Sequence, residues 1–97
     1  MKIINTDKAP KAIGPYSQAI QHNNLMFTSG QIPLNPDTNL IVSENFKEQV
    51  YQCLKNIRGI LEEENLSLDC ILKLTVYVID LNNFSKLNKQ ISPEIFS

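Results

Sequence analysis

Asn24-Leu25-Met26-Phe27-Thr28-Ser29-Gly30-Gln31-Ile32-Pro33 is the stretch on which the reading of this chain turns. Leu25, Met26 and Phe27 form a short apolar run of strand character, and Thr28 and Ser29 bring two hydroxyls to its end. Gly30 removes the side chain where a backbone or a ligand can approach closely. Gln31 adds an amide, and Pro33, which has no N–H, stops further ladder pairing. A strand that ends in this way can set hydroxyls and backbone N–H groups into a pocket wall. By residue type alone, however, the stretch favours a plain strand running into a turn.

Upstream, Lys2 to Asn5 reads as an edge strand and Thr6 to Lys11, with Asp7 and Pro10, as a loop. Ile13-Gly14-Pro15 forces a bend in which the proline should push Gly14 toward extended geometry. Ser17 to Gln21 is a strand, and His22-Asn23-Asn24 a tight turn that suits positive φ. Downstream, Asn35 to Asn39 is a second turn, with Asn39 fitted to a left-handed backbone, and Leu40 to Val42 adds a few sheet contacts. Ser43 is the expected N-cap of a long helix, with Glu44 in its first turn and its end near Asn65. Phe46, Val50, Cys53, Leu54, Ile57 and Leu61 recur at spacings of three and four and make one apolar stripe, expected against the sheet.

Ile71 to Ile79 reads as the longest strand. Leu72, Leu74, Val76 and Val78 share a uniformly apolar face, expected beneath the long helix. Ile71, Lys73, Thr75, Tyr77 and Ile79 share a mixed face, suited to another subunit or a solvated cavity. Asp80 can cap a second helix from about Asn82, with Phe84, Leu87 and Ile91 inward and Pro93 at its end. The order of elements gives an α+β fold with helices on one side of a mixed sheet.

Ninety-seven residues make one domain, 1–97, and 42% hydrophobic content is enough for a small core. The formal net charge is −1 and the nine basic residues are scattered. That pattern offers no stripe for nucleic acid and no cluster for a membrane surface. No apolar run approaches the roughly 20 residues that span a bilayer, and the N-terminus has no signal-peptide core, so a cytoplasmic location is expected. Cys53 and Cys70 show neither a CxxC spacing nor a nearby histidine, which speaks against zinc, against a disulfide scaffold and for a reducing compartment. His22, the single histidine, sits in a turn as a surface group. With no metal cluster, no phosphate loop and no nucleophile beside a base, residue types leave enzyme and non-enzyme evenly balanced.

Ala12-Ile13-Gly14-Pro15-Tyr16-Ser17-Gln18-Ala19, together with Phe27 to Pro33 and with Val76 to Phe84, resembles the YjgF/RidA family of reactive-intermediate deaminases. The resemblance runs in order from about Ile3 to Asn88. It implies a chorismate-mutase-like fold and a homotrimer, with sheets inward, helices outside and active sites in the clefts between subunits. It also implies hydrolysis of short-lived 2-imino acids and enamines to 2-keto acids and ammonia, the 2-iminobutanoate/2-iminopropanoate deaminase reaction, with no metal or organic cofactor. Tyr16 matches the family's pocket tyrosine and Ser29 its motif serine, the two catalytic candidates. Gly30, Gln31 and Asn88 are the substrate-binding candidates.

Past Asn88 the match stops. The family's later strands carry an arginine that clamps the substrate carboxylate and a glutamate that positions water. Here the only arginine is Arg58, on the long helix. The expectation is therefore a RidA-like domain incomplete at its C-terminus, with impaired deaminase activity. The alternatives are a small-ligand-binding or regulatory protein without turnover, and a degenerate truncated product.

Overall fold

Three strands, β1 (Lys2–Ile4), β2 (Ala19–His22) and β3 (Leu25–Thr28), open the chain in a computed structural model that describes residues 1–96. They pair antiparallel in the order β1-β2-β3. The mixed sheet expected from the element order is thus, over the described residues, a three-stranded antiparallel one. His22 faces Leu25 across the hairpin, which leaves Asn23 and Asn24 as a two-residue turn. Asn23 takes φ 55°, the left-handed conformation that asparagine tolerates better than most residues.

Beyond β3 the chain makes a second, looser hairpin. The Asn35 N–H donates to Leu40 O at 2.9 Å and the Val42 N–H to Pro33 O at 3.0 Å, around a single bridge between Leu34 and Ile41. Asn39 takes φ 61° at its tip.

Helix α1 (Phe46–Glu62) is capped two residues later than expected. Asn45 is the N-cap, its side chain accepting from the Glu48 N–H at 3.1 Å, while Ser43 Oγ accepts from the Asn45 N–H. Asparagine and serine cap about equally well, so residue type alone did not separate them. The helix ends through Asn65 at φ 59°, with the Leu66 N–H donating to Leu61 O at 2.9 Å. Asn65 stands where glycine most often ends a helix in this way.

The side of α1 that meets the sheet and loops differs from the expected stripe. Ile60 is the one helix residue in the core cluster with Ile4, Ala9 and Ala19, against which Met26 packs. Gln52, Asn56 and Gly59 are buried on the same side. At 100° per residue this face is turned roughly a quarter to a third of a turn from the stripe centred on Cys53, Ile57 and Leu61. Leu54 and Leu61 are buried outside that cluster, and Phe46, Val50 and Ile57 are only half-buried. The stripe was displaced because polar residues hold core positions here by hydrogen bonding, which periodicity of apolar residues does not register.

A 3₁₀ turn (Leu68–Cys70) follows and adjoins both helices, with Leu68 buried. Ile71 to Ile79 then forms no strand among the described residues. A strand is defined by hydrogen bonds exchanged with a neighbour, and no described segment pairs with this one. Its apolar face is only partly covered: Leu74 and Val78 are half-buried, whereas Leu72 and Val76 are exposed; on the mixed face Tyr77 is 92% exposed.

The Asp80 carboxylate accepts from the Asn82 N–H at 3.0 Å and caps a 3₁₀ turn (Leu81–Asn83) that runs into α2 (Phe84–Phe96). Leu87 is buried, but Phe84, expected inward, is 56% exposed at the start of the helix. Nor does Pro93 end α2, which continues to Phe96. A proline removes one helical donor and crowds the preceding turn, but the rest of the backbone can follow. Gln90 Nε2 donates to Lys47 O at 2.7 Å and ties α2 to the first turn of α1.

Candidate functional site

Two hydrogen bonds bring the separate motif stretches together. The Ser29 N–H donates to Gln18 O at 2.9 Å, and Ser29 Oγ donates to Ser17 O. Both extend the β2–β3 contact past the last ladder residues, so Ser29 sits beside Ser17 and Tyr16 immediately precedes it. The serine hydrogen is engaged by backbone, and the oxygen's lone pairs are what it presents to a ligand.

Tyr16 is positioned by a tight bend. Its N–H donates to Gly14 O at 3.0 Å across Pro15. Gly14 has φ 115° rather than the extended geometry expected before a proline, so this bend needs glycine. The Tyr16 ring lies against it: a Cβ on Gly14 would stand 3.6 Å from Tyr16 Cε1. Tyr16 as a whole is 55% exposed.

Gly30 lies open. A Cβ built there would meet nothing within 4 Å, so a ligand has access to backbone at this point. The Gln31 side chain folds back, Nε2 donating to Ser29 O at 3.3 Å. Asn88 is exposed on α2, and among the described residues no hydrogen bond joins it to the Ser29 loop. Ser29, Gly30 and Gln31 therefore form one wall with Ser17, the residue after Tyr16, while Tyr16 itself lines a cleft beside the 6–10 loop and Asn88 makes no hydrogen bond to the wall among the described residues.

Behind this wall lie residues that the sequence reading did not place at the site. Cys53 Sγ donates to Gln31 O at 3.4 Å, and burial pushes its thiol pKa up from the ordinary 9.0. Asn56 Nδ2 donates to Ile32 O at 3.3 Å and to Leu34 O at 3.0 Å. Gln52 Nε2 donates to Asn56 Oδ1 at 2.8 Å. The available signal was a Gln–Asn pair four apart with a glycine three residues on, which places amides and a gap on one helix face.

Gln18 is a third buried amide. Its Oε1 accepts from the Thr6 N–H at 2.6 Å, and its Nε2 is shared among Thr6 O, Ala9 O and Pro10 O at 3.0, 3.1 and 2.9 Å. It fixes the 6–10 loop beside an open cleft of about 660 Å³. Lys8, Lys11, Tyr16 and Gln18 help to line this cleft; Ser29, Gly30, Gln31 and Asn88 do not. Arg58 is two residues from Asn56, and so ~200° around α1, away from the Ser29 loop. Chemically, the wall offers a phenol, hydroxyl lone pairs, an amide and accessible backbone. Among the described residues no three His, Cys, Asp or Glu side chains converge, and no helix is long and apolar enough to cross a membrane.

A sequence model of the family described as endoribonuclease L-PSP matches residues 6–96. A RutC family protein of Pyrococcus abyssi is 51% identical over 88 residues, covering 91% of this chain and 69% of the relative. The chloroplastic Reactive Intermediate Deaminase A of Arabidopsis thaliana is 42% identical over 88 residues, covering 91% of this chain and 47% of the plant protein. The crystal structure of Escherichia coli TdcF with bound serine superposes with a TM-score of 0.89 at 40% identity, covering 96% of this chain and 72% of that one.

Proposed function

Since the chain belongs to the YjgF/RidA family, whose sequence model carries the description endoribonuclease L-PSP, we propose that it acts on small 2-imino or enamine acids, hydrolysing them to 2-keto acids and ammonia. The observation that carries this reading is the pair of Ser29 bonds to Ser17 and Gln18, which join the two motifs into one wall beside Tyr16 and an open Gly30. Support for a small amino-acid-like ligand comes from the serine bound to TdcF and from the name of the plant deaminase.

The reaction asks for positioning more than for activated groups. The imine carbon is already electrophilic. Water adds to it and one of its protons passes to nitrogen; the hydroxyl proton of the resulting carbinolamine then passes to nitrogen as well, and ammonia leaves as the carbonyl forms. Ser29 Oγ, its hydrogen engaged, accepts from the imine N–H or the attacking water. The Tyr16 phenol donates to the substrate or orders that water. Backbone at Gly30 is accessible to the negative substrate carboxylate, and the Gln31 amide closes the same side. No metal or organic cofactor takes part in this scheme. The proposed site lies between subunits of a homotrimer. Large apolar groups exposed at Phe27, Leu72, Tyr77 and Ile79 support such an assembly, because monomers seldom leave surface of this kind uncovered.

The test is turnover by the purified chain. 2-Iminobutanoate generated in place by a threonine dehydratase should release 2-ketobutyrate and ammonia faster with the chain than in buffer with a matched inert protein. Equal rates would overturn the reading. Ligand binding without turnover is the second reading, favoured by the engaged Ser29 hydrogen and the absence of a cationic side chain from the described wall.

A further inference from the structure

The loop carrying Ser29, Gly30 and Gln31 is held at Ser29 by the end of β2 and, from Gln31 onward, also from behind by α1. Pro33 has no N–H, so the backbone at 32–34 cannot continue the β3 ladder there. Instead three loop carbonyls point at one helix face. Gln31 O takes the Cys53 thiol, and Ile32 O and Leu34 O take both hydrogens of the Asn56 amide.

Asn56 is 0% exposed. Its orientation is determined, because Gln52 Nε2 donates to its oxygen at 2.8 Å. A flipped amide would set that oxygen against two carbonyl oxygens, leaving Leu34 O without its donor and Ile32 O with only the Leu34 N–H. Gln52, itself buried, lies one turn earlier on the same face and is the group that fixes the amide. The chain of contact is thus Gln52 to Asn56, Asn56 to the two carbonyls flanking Pro33, and from there along the backbone to Gln31, Gly30 and Ser29.

We propose that Asn56 is a positioning residue for the Ser29–Gln31 wall, and that Gln52 acts through it. Asn56 touches no ligand in this scheme. It sets where the open backbone of Gly30 and the hydroxyl of Ser29 stand relative to Tyr16. The kinetic consequence rests on the deaminase reading; the structural one does not.

The decisive variant is Asn56→Asp, which keeps the size and the bond from Gln52 but turns both donors into acceptors. Ile60→Ala is the comparison, since it weakens the same helix at the sheet core without touching the loop. With 2-iminobutanoate as substrate, Asn56→Asp should lower kcat roughly tenfold or more, the scale of one or two lost hydrogen bonds. Ile60→Ala should lower the melting temperature while leaving kcat nearly unchanged. In two-dimensional amide NMR, the Gly30 and Gln31 signals should move in Asn56→Asp and stay in place in Ile60→Ala.

Wild-type Gly30 and Gln31 signals in folded Asn56→Asp, or equal movement in both variants, would overturn the proposal. If the wild-type chain shows no hydrolysis, the deaminase reading fails and the NMR comparison alone decides the positioning role. If Asn56→Asp does not fold, Gln52→Met decides it. This variant removes only the bond that orients the amide, and it must move the same two signals or the proposal falls.

Discussion

Gly59→Ala opposes two effects on one helix, and the structure decides between them. In an unobstructed helix interior, alanine is better than glycine by up to about 1 kcal/mol. At this position, however, a Cβ would stand 2.6 Å from Lys8 O, 2.7 Å from Lys8 Cβ and 3.0 Å from the Lys8 carbonyl carbon. Two of the three are backbone atoms and cannot rotate aside. The loop that would have to retreat is pinned through Thr6, Ala9 and Pro10 to Gln18. Overpacking of this kind costs about 1–3 kcal/mol, and a pinned neighbour puts the cost toward the upper end. Set against the helix gain, the net loss is roughly 1–2 kcal/mol. For a domain of this size each kcal/mol lowers Tm by about 4–8 °C. Urea and thermal unfolding should show the loss with an unchanged urea slope. Gly30→Ala, where nothing lies within 4 Å, is the reference and should change stability by less than about 0.5 kcal/mol. A Gly59→Ala protein as stable as wild type would refute the close packing of α1 on the 6–10 loop.

Three further outcomes are expected. Tyr16→Phe should lose about 1–3 kcal/mol of transition-state binding in kcat/KM with its melting curve unchanged, while Ser29→Ala should lose both activity and stability because Ser17 O loses its donor; unaltered turnover in both would remove them from the site. Ile60→Ala should cost about 2–5 kcal/mol in urea unfolding, against much less for half-buried Val50→Ala, and the reverse order would restore the expected apolar stripe as the sheet-facing side. Burial raises the Cys53 pKa above 9.0 in the folded chain, so its thiol binds its proton more tightly there than when unfolded. That contribution is present below pH 9 and is lost as the pH rises toward the folded value, and iodoacetamide at pH 8 should label exposed Cys70 before Cys53. Faster labelling of Cys53 would contradict its burial.

Local chemistry made much of this fold legible. Asn23 and Asn39 were readable as left-handed turn residues because few other side chains tolerate that backbone, and α1 was readable from its length and period. The facing of α1 was not, because Asn56 enters the interior through hydrogen bonds to loop carbonyls that lie 22 and 24 residues away in sequence, and Gln52 through its bond to Asn56. Ile71 to Ile79 has the composition of a strand, but composition cannot supply the neighbour that a ladder requires. Phe84 has the right type for a core residue and lacks described atoms to cover it. At the candidate site, the motifs gave Tyr16 and Ser29 directly. That the Ser29 hydrogen would be taken by Ser17 depends on the register of the β2–β3 hairpin, which residue types specify only loosely.

The stretch from Ile71 to Ile79 has a consequence for the handling of the protein. A protease takes its substrate as an extended strand of several residues, free of helix and of cross-strand bonds. This stretch meets that requirement among the described residues: it lies between two 3₁₀ turns, has extended backbone at Ile71 and Asp80, and carries an exposed lysine at 73. Trypsin added at a low ratio would find Lys73 before the lysines of α1. One cut there would yield a fragment holding the three strands, the motif wall and α1 intact, and would leave α2, with the segment that carries Tyr77, held only by its packing and the Gln90–Lys47 bond.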